Sequence, residues 1–341
     1  TVDKSVISES HSELRKFLHR VLIFAATPLL AYIPYLPVGI FYGEQILQRV
    51  KGPTDQQQVE NSFRGAANRE YDLLLLGNSR VYRGINPDQF EVPAFNFACD
   101  SDAFNQMYFK LKWVREHGKS PGIVVLGVDP FQFSHMHDAR NHLYGEYFGE
   151  AYLADYPPAP YAAEKYYWRH FPKRLNPKYL LMSSDDRPFF RENGQYIRPG
   201  KALATDRVSR RAKRLPLQVS YFERILEDCR QHGTQVFLCL MPTRSEELAV
   251  YAAGQVDEFR QFIAGYTNPQ VMFLDFAEDP SYVLSDYTDI THLNEVAADR
   301  FSRQLSTAMF HLNDRSSEIE RIAVEEKSVP VTPVGLVRER L

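Results

Sequence analysis

The sequence predicts an α/β fold: a three-layer α/β/α domain on a mainly parallel sheet. Three observations predict it. Short apolar runs of strand length alternate with amphipathic segments of helical spacing. The first run, Leu73 to Leu76, ends in the turn Gly77-Asn78-Ser79-Arg80. Roughly 210 residues later the last strand-like run is followed by Asp289-Ile290-Thr291-His292 and then an amphipathic helix.

The elements follow in order. Strands are expected at Asp72–Leu76, Ala94–Ala98, Gly122–Val128, Gln235–Met241 and Val271–Phe276, each a run of Leu, Val, Ile or Phe bounded by turn residues. Apolar residues recur at helical spacing over Asp102–His117, Leu217–His232, Gln255–Gly265 and Asn294–Phe310. In sheets of this kind ligands bind beyond the carboxyl ends of the strands, which is where Ser79 falls. The serine supplies a hydroxyl, His292 a base, and Asp289 an acid to orient that base, with aspartate and histidine three residues apart and placed on one face of a helical turn.

Length and composition narrow the alternatives. The 341 residues allow one large domain or two small ones, and the formal net charge of −3 with 13% aromatic residues disfavours nucleic-acid binding and wholesale disorder. Cys99, Cys229 and Cys239 are too few and too scattered for a disulfide framework or zinc site, and Cys99 and Cys239 read as small buried hydrophobes. His135-x-His137 with His142 has a spacing zinc sites use, but lacks an assigned third ligand, so no metal is expected. No glycine-rich phosphate loop or dinucleotide fingerprint is present, and no cofactor is expected.

The amino-terminal part reads differently. Val21 to Gly43 contains no charged residue, and about 20 apolar residues suffice for a helix to cross a bilayer core of roughly 30 Å. Arg15, Lys16 and Arg20 precede the run and Glu44 follows. By the positive-inside rule residues 1–20 are cytoplasmic and 21–43 form a single-pass signal anchor in the cell membrane. The competing reading is a cleaved signal peptide, and Pro28, Pro34 and Pro37 interrupt the run. Residues 44–70 are polar and read as a stalk, 71–312 as the catalytic domain outside the cytoplasm, and 313–341 as a flexible tail.

Between the third and fourth strands lies an insert, 134–214, far longer than an ordinary connection. It holds Tyr144, Tyr147, Tyr152, Tyr156, Tyr161, Tyr166, Tyr167 and Trp168, then Arg198, Lys201, Arg207, Arg210, Arg211, Lys213 and Arg214. One reading is a capping subdomain with a solvated basic helix. The other has aromatic faces stacking on sugar rings while the basic tract meets an anionic polymer or lipid headgroups.

Gly77-Asn78-Ser79 and Asp289-x-x-His292 resemble the SGNH (GDSL-like) hydrolase superfamily. More narrowly, over roughly residues 70–312 the chain resembles its membrane-anchored branch, the alginate and peptidoglycan O-acetylation proteins and the D-alanyl transfer protein of teichoic acids. Gly-Asn-Ser stands where that family has Gly-Asp-Ser. The resemblance implies an SGNH-type, flavodoxin-like sheet and a catalytic triad of Ser79, Asp289 and His292. Oxyanion donors would be the N–H groups of Ser79 and of Ser101, which falls at or near a family glycine. Gly127-Val128-Asp129 stands where the family has Gly-x-Asn, so an aspartate replaces an amide donor. Asp129 must then be protonated, turned away, paired with a cation such as Arg80 or Arg83, or otherwise employed. Arg244, ending the fourth strand, would contact an acyl donor or sugar carboxylate, or cap the turn. The implied activity is O-acyl transfer, most simply of acetyl, to hydroxyls of an extracytoplasmic polysaccharide, supplied by a membrane-bound O-acyltransferase. The alternatives are an esterase of the same polymer and an inactive assembly subunit.

Overall fold

The structure, a computed structural model, describes residues 4–134, 140–182, 189–204 and 213–310. They form two compact units, whose described residues fall within Asp55–Pro157 and Phe190–Leu341 for the larger, and within Thr1–Thr54 and Pro158–Phe189 for the smaller.

The larger unit is built on five strands: β1 (Leu73–Leu76), β2 (Ala94–Asn96), β3 (Ile123–Gly127), β4 (Gln235–Leu240) and β5 (Val271–Asp275). They lie in the order β2-β1-β3-β4-β5 and every pair is parallel, with Leu74 opposite Phe95 and Val124, and Val236 opposite Val124 and Val271. The strand order reverses between β1 and β3, which opens a crevice beyond their carboxyl ends.

Both faces of the sheet are covered, which explains why β1 reads as four consecutive leucines rather than an alternation. Leu74, Leu76, Val124, Leu126, Val236 and Leu238 enter one core, while Leu73, Leu75, Val125, Phe237 and Cys239 enter a second. The first core is closed by residues of α3 (Asp55–Asn68), α5 (Phe104–Glu116), α6 (Asn141–Asp155), α8 (Pro216–Gln231) and α9 (Gln255–Ala264). The second is closed by Val81 and Tyr82 of α4 (Ser79–Gly84) and by Ala297, Phe301, Leu305 and Met309 of a last helix over 295–310. These are the three expected layers. Each fully buried Leu or Phe side chain contributes about 1.5–3 kcal/mol, so the two cores dominate the stability of the unit.

Residues 44–70 are not a free stalk. α3 turns Val59, Phe63 and Ala66 into the core, where Phe63 stacks on Tyr147 at 3.8 Å between ring centroids. The four aromatics Tyr144, Tyr147, Tyr152 and Tyr156 of the long insert likewise pack into or against this core, so they are not open faces for sugars. Tyr161, Tyr167 and Trp168 are exposed. Of the basic tract, Arg207, Arg210 and Arg211 lie outside the described residues, as do His135, His137 and the segment 311–341.

The smaller unit contains α1 (Lys4–Tyr32), α2 (Tyr35–Lys51) and α7 (Ala162–Arg174). Gly43 lets α2 lie against α7, because a Cβ there would meet the Arg174 carbonyl oxygen at 2.4 Å. Arg174 pairs with Glu44 at 2.9 Å, and the Tyr32 hydroxyl donates to the Leu175 carbonyl at 2.6 Å. The expectation of one membrane-crossing helix over 21–43 is corrected here. The uncharged run is divided between α1 and α2 by a break at Ile33-Pro34, and among the described residues no helix is long and apolar enough to cross a membrane. Pro34 has no N–H to donate and stands at the N-cap of α2, with Pro37 in its first turn.

Candidate active site

Ser79 is the first residue of α4, directly after β1 and its turn. The turn is shaped by packing: a Cβ on Gly77 would lie 2.3 Å from Cγ2 of Val81, and one on Gly127 would lie 2.4 Å from the same atom. Val81 therefore rests on two glycines, one from each strand beside the crevice, and α4 starts close against the sheet. Asn78 caps the helix by accepting from the Arg80 N–H at 2.9 Å. At the other end of α4, the buried Asn96 amide donates to the carbonyls of Val81 and Ile85, both at 2.9 Å.

The structure brings Ser79, Asp289 and His292 together. Ser79 Oγ lies 2.8 Å from His292 Nε2, and His292 Nδ1 lies 2.7 and 2.8 Å from the two oxygens of Asp289. With Nδ1–H donating to the carboxylate, Nε2 holds a lone pair facing the serine hydroxyl. The Asp289–His292 segment is a loop rather than the expected helical turn. Asp289 Oδ1 accepts from the N–H groups of Thr291 at 2.9 Å and His292 at 3.1 Å, and the buried Tyr287 and Leu293 pair across the base of the loop.

Electrostatics suits His292 to act as a base. Burial pushes its pKa below the ordinary 6.5, and the Arg83 guanidinium, 3.4 Å from Nδ1, pushes the same way against the opposing pull of Asp289. Burial alone would raise the Asp289 carboxyl, but hydrogen bonds from His292 and Thr291 and the charge of His292 outweigh it and hold it well below the usual range. Asp289 is thus an anion wherever His292 can gain a proton.

Asp129 is held by neighbours of its own turn and of the serine turn. Its Oδ2 accepts from Asn78 Nδ2 at 2.8 Å, its Oδ1 accepts from the Gln132 N–H at 2.8 Å, and Arg80 Nε lies 3.8 Å away. Arg80 also pairs with buried Glu247 and donates to Thr243 Oγ1 at 3.0 Å. Of the roles open to Asp129, pairing with Arg80 is the one the structure realises. Arg83 instead grips Asp100 in a two-pronged pair, Nε to Oδ1 at 3.1 Å and Nη2 to Oδ2 at 2.6 Å. Ser101 has a left-handed backbone (φ 63°), a conformation that favours glycine. Arg244 is 4% exposed, pairs with Glu246 at 3.0 Å and donates to the Leu203 carbonyl at 3.1 Å, so it serves the fold at that corner.

Sequence reasoning gave Asp100 and Thr291 no role and offered Arg83 only as a partner for Asp129, missing its place beside His292. Arg83 stands four residues after Ser79, one helical turn on, which was the available signal. All three cysteines are free and buried, with burial pushing the Cys229 thiol up to about 12, as befits small core residues. His142 is present in the described chain, but no group of three metal-ligating residues occurs among the described residues.

No known family profile and no curated protein matches the chain. Among solved structures, one assigned as an acylhydrolase, from Bacteroides fragilis, is similar with 10% identity and a TM-score of 0.39, covering 77% of this chain and 99% of that one. A lipase from a goat rumen metagenome shows 12% identity and a TM-score of 0.38, over 69% of this chain and 96% of its own. A family two carbohydrate esterase from Clostridium thermocellum, solved with cellohexaose, shows 9% identity and a TM-score of 0.33, over 70% and 63%. Likeness of that degree carries no argument; the fold rests on the strand order and the site on its distances.

Proposed function

We propose that this chain is a serine-dependent acyl-transfer enzyme. The observation that carries the reading is the 2.8 Å contact from Ser79 Oγ to His292 Nε2, with Asp289 2.7 Å behind the imidazole. His292 takes the hydroxyl proton as Oγ attacks an ester carbonyl, and Asp289 stabilises the imidazolium that forms. The negative charge on the carbonyl oxygen is met by the N–H groups of Ser79 and Ser101. Neither donates to a backbone carbonyl among the described residues. Collapse of the tetrahedral species expels the alcohol with the proton from His292, leaving acyl-Ser79. A second hydroxyl, deprotonated by His292, then attacks the acyl group; the bond to Ser79 Oγ breaks and His292 returns the proton to the departing serine oxygen.

The second hydroxyl belongs, in our reading, to an extracytoplasmic polysaccharide, and the acyl group is acetyl, delivered by a membrane-bound O-acyltransferase. What supports this is the motif resemblance together with the apolar amino-terminal region. Exposed Phe17, Leu22, Phe24, Ile40 and Phe41, with Arg15, Lys16 and Arg20, suit contact with a lipid surface. Water in place of the sugar hydroxyl makes the same machinery an esterase.

Intact-mass analysis of the full chain after incubation with p-nitrophenyl acetate tests the proposal. The expected result is a gain of one acetyl group on Ser79, absent in Ser79→Ala and formed far more slowly in His292→Ala. Release of acetate at the turnover rate without any added glycan assigns hydrolysis rather than transfer. No adduct and no turnover in folded protein sinks the enzymatic reading and leaves the assembly role.

A further inference from the structure

The turn Cys99–Asp102, which presents the Ser101 N–H, is gripped from within by more charge than a surface turn needs. Asp102 N–H donates to the Cys99 carbonyl at 3.2 Å and closes it, with Ser101 in its left-handed conformation. Lys110 of α5, 1% exposed, donates to Asp102 Oδ2 at 2.6 Å and to the Phe97 carbonyl at 2.7 Å. Two residues of the long insert complete the grip. Tyr144 of α6 donates its hydroxyl to Asp102 Oδ1 at 2.5 Å, and Arg140, just before α6, donates to the Asp100 carbonyl and lies 3.2 Å from Cys99 Sγ. From the site side, Arg83 holds the Asp100 carboxylate.

Burying ion pairs of this kind is costly, and apolar residues of similar volume would fill the space at less cost. What the ions add is directional restraint on a backbone conformation that serine disfavours. Every residue of the turn except Ser101 itself is gripped by side chain, carbonyl or sulfur, so the grip converges on the one whose N–H carries the oxyanion role in our reading.

We propose that the start of the insert, Arg140 with Tyr144 of α6, is a positioning element that holds the Cys99–Asp102 turn so that Ser101 N–H meets the developing oxyanion. The inference rests on the acyl-transfer reading above and deepens it. It gives the first part of the insert a task distinct from glycan contact: Arg140 and Tyr144 act through Ser101 and do not touch substrate.

The test uses the full chain with p-nitrophenyl acetate and the variants Tyr144→Phe and Arg140→Gln, each alone and combined with Ser101→Gly. Tyr144→Phe removes a single hydroxyl and guards against loss of fold in the arginine variant. A displaced donor lowers kcat with little change in KM, and we expect a loss of about tenfold for each, below the ~10²–10³ of a donor removed outright. Glycine adopts the left-handed conformation without strain, so the same substitutions made in the Ser101→Gly background should cost about threefold or less. Wild-type kcat in both single variants overturns the proposal. So does an undiminished loss in the glycine background, which would mark the grip as merely structural. If the wild-type chain turns over no ester, the acyl-transfer reading fails instead. The coupling between Tyr144→Phe and Ser101→Gly in unfolding midpoints then decides, and strictly additive shifts reject the restraint.

Discussion

Asn78 and Asp129 share one buried hydrogen bond, and its direction decides what each position tolerates. The carboxylate is anchored by Asn78, Gln132 and Arg80 and has no donor to offer an oxyanion, so the two N–H groups carry that role in our reading. Asn78→Asp would set two carboxylates face to face and should cost about 3 kcal/mol in denaturant unfolding. The exchange Asn78→Asp with Asp129→Asn restores a donor–acceptor pair and should recover more than half of that loss; a double variant no more stable than the single one refutes the pairing. His292 gives a second expectation. Its pKa lies below 6.5, so the neutral base forms as pH rises through that lowered value, and the acid limb of kcat/KM has its midpoint below 6.5. Unfolded chains bind more protons at this site between the two values, so its contribution to stability also rises with pH there. Arg83→Gln removes a cation that disfavours the imidazolium and frees the Asp100 carboxylate to favour it, so the limb should move to higher pH. A limb that stays in place shows that Arg83 does not tune the base. At this scale the sequence yielded Ser79, Asp289 and His292, whose motifs are local. The pairs Arg83–Asp100 and Asn78–Asp129 join residues 17 and 51 positions apart, and no local pattern encodes that.

The five strands were legible to within about two residues, because burial on both faces gives continuous apolar runs that only strands of that length accommodate. α5, α8 and α9 were legible from their apolar stripes. α3 was not, since Val59, Phe63 and Ala66 sit among Gln, Asn, Glu and Arg residues, and a stripe that thin reads as polar chain until a sheet face receives it. The Asp289–His292 loop misled for another reason: a spacing of three fits a helical turn, but here the carboxylate takes the backbone N–H groups of Thr291 and His292 and holds the chain in a turn of its own. α4 is the element on which the site depends most. Gly127→Ala would drive a methyl group to 2.4 Å from Val81 Cγ2, and as that neighbour belongs to the serine helix, α4 must shift. We expect a loss of about 1–3 kcal/mol in stability from the overpacking. kcat should fall together with it, since Ser79 moves with the helix. Adding Val81→Ala removes the obstructing methyl groups and should return part of the activity. Stability loss with kcat unchanged would show that Ser79 is placed independently of Val81.

Across the whole molecule, sequence reasoning treated the insert as one piece, yet contact divides it. Its first part, through Pro157, belongs with the sheet-bearing unit, and Pro158–Phe189 belongs with α1 and α2. Composition could not reveal the division, because tyrosines are dense in both parts and only packing separates core Tyr144 and Tyr152 from exposed Tyr161 and Trp168. The helical unit leaves an unusual amount of apolar surface in solvent: Phe24 is 83% exposed, Phe41 73% and Leu22 68%. Surface of that kind on a helical unit calls for a partner, and the cations Arg15, Lys16 and Arg20 beside it fit anionic headgroups. The full chain should therefore sediment with vesicles containing phosphatidylserine more than with purely zwitterionic ones. Each cation near such a surface contributes about 1 kcal/mol, so replacing all three by glutamine should weaken the partition roughly 100-fold, and added salt should act in the same direction. Phe24→Ser with Phe41→Ser should weaken binding to both kinds of vesicle. A chain that ignores vesicles of either composition would assign the apolar surface to a protein partner instead.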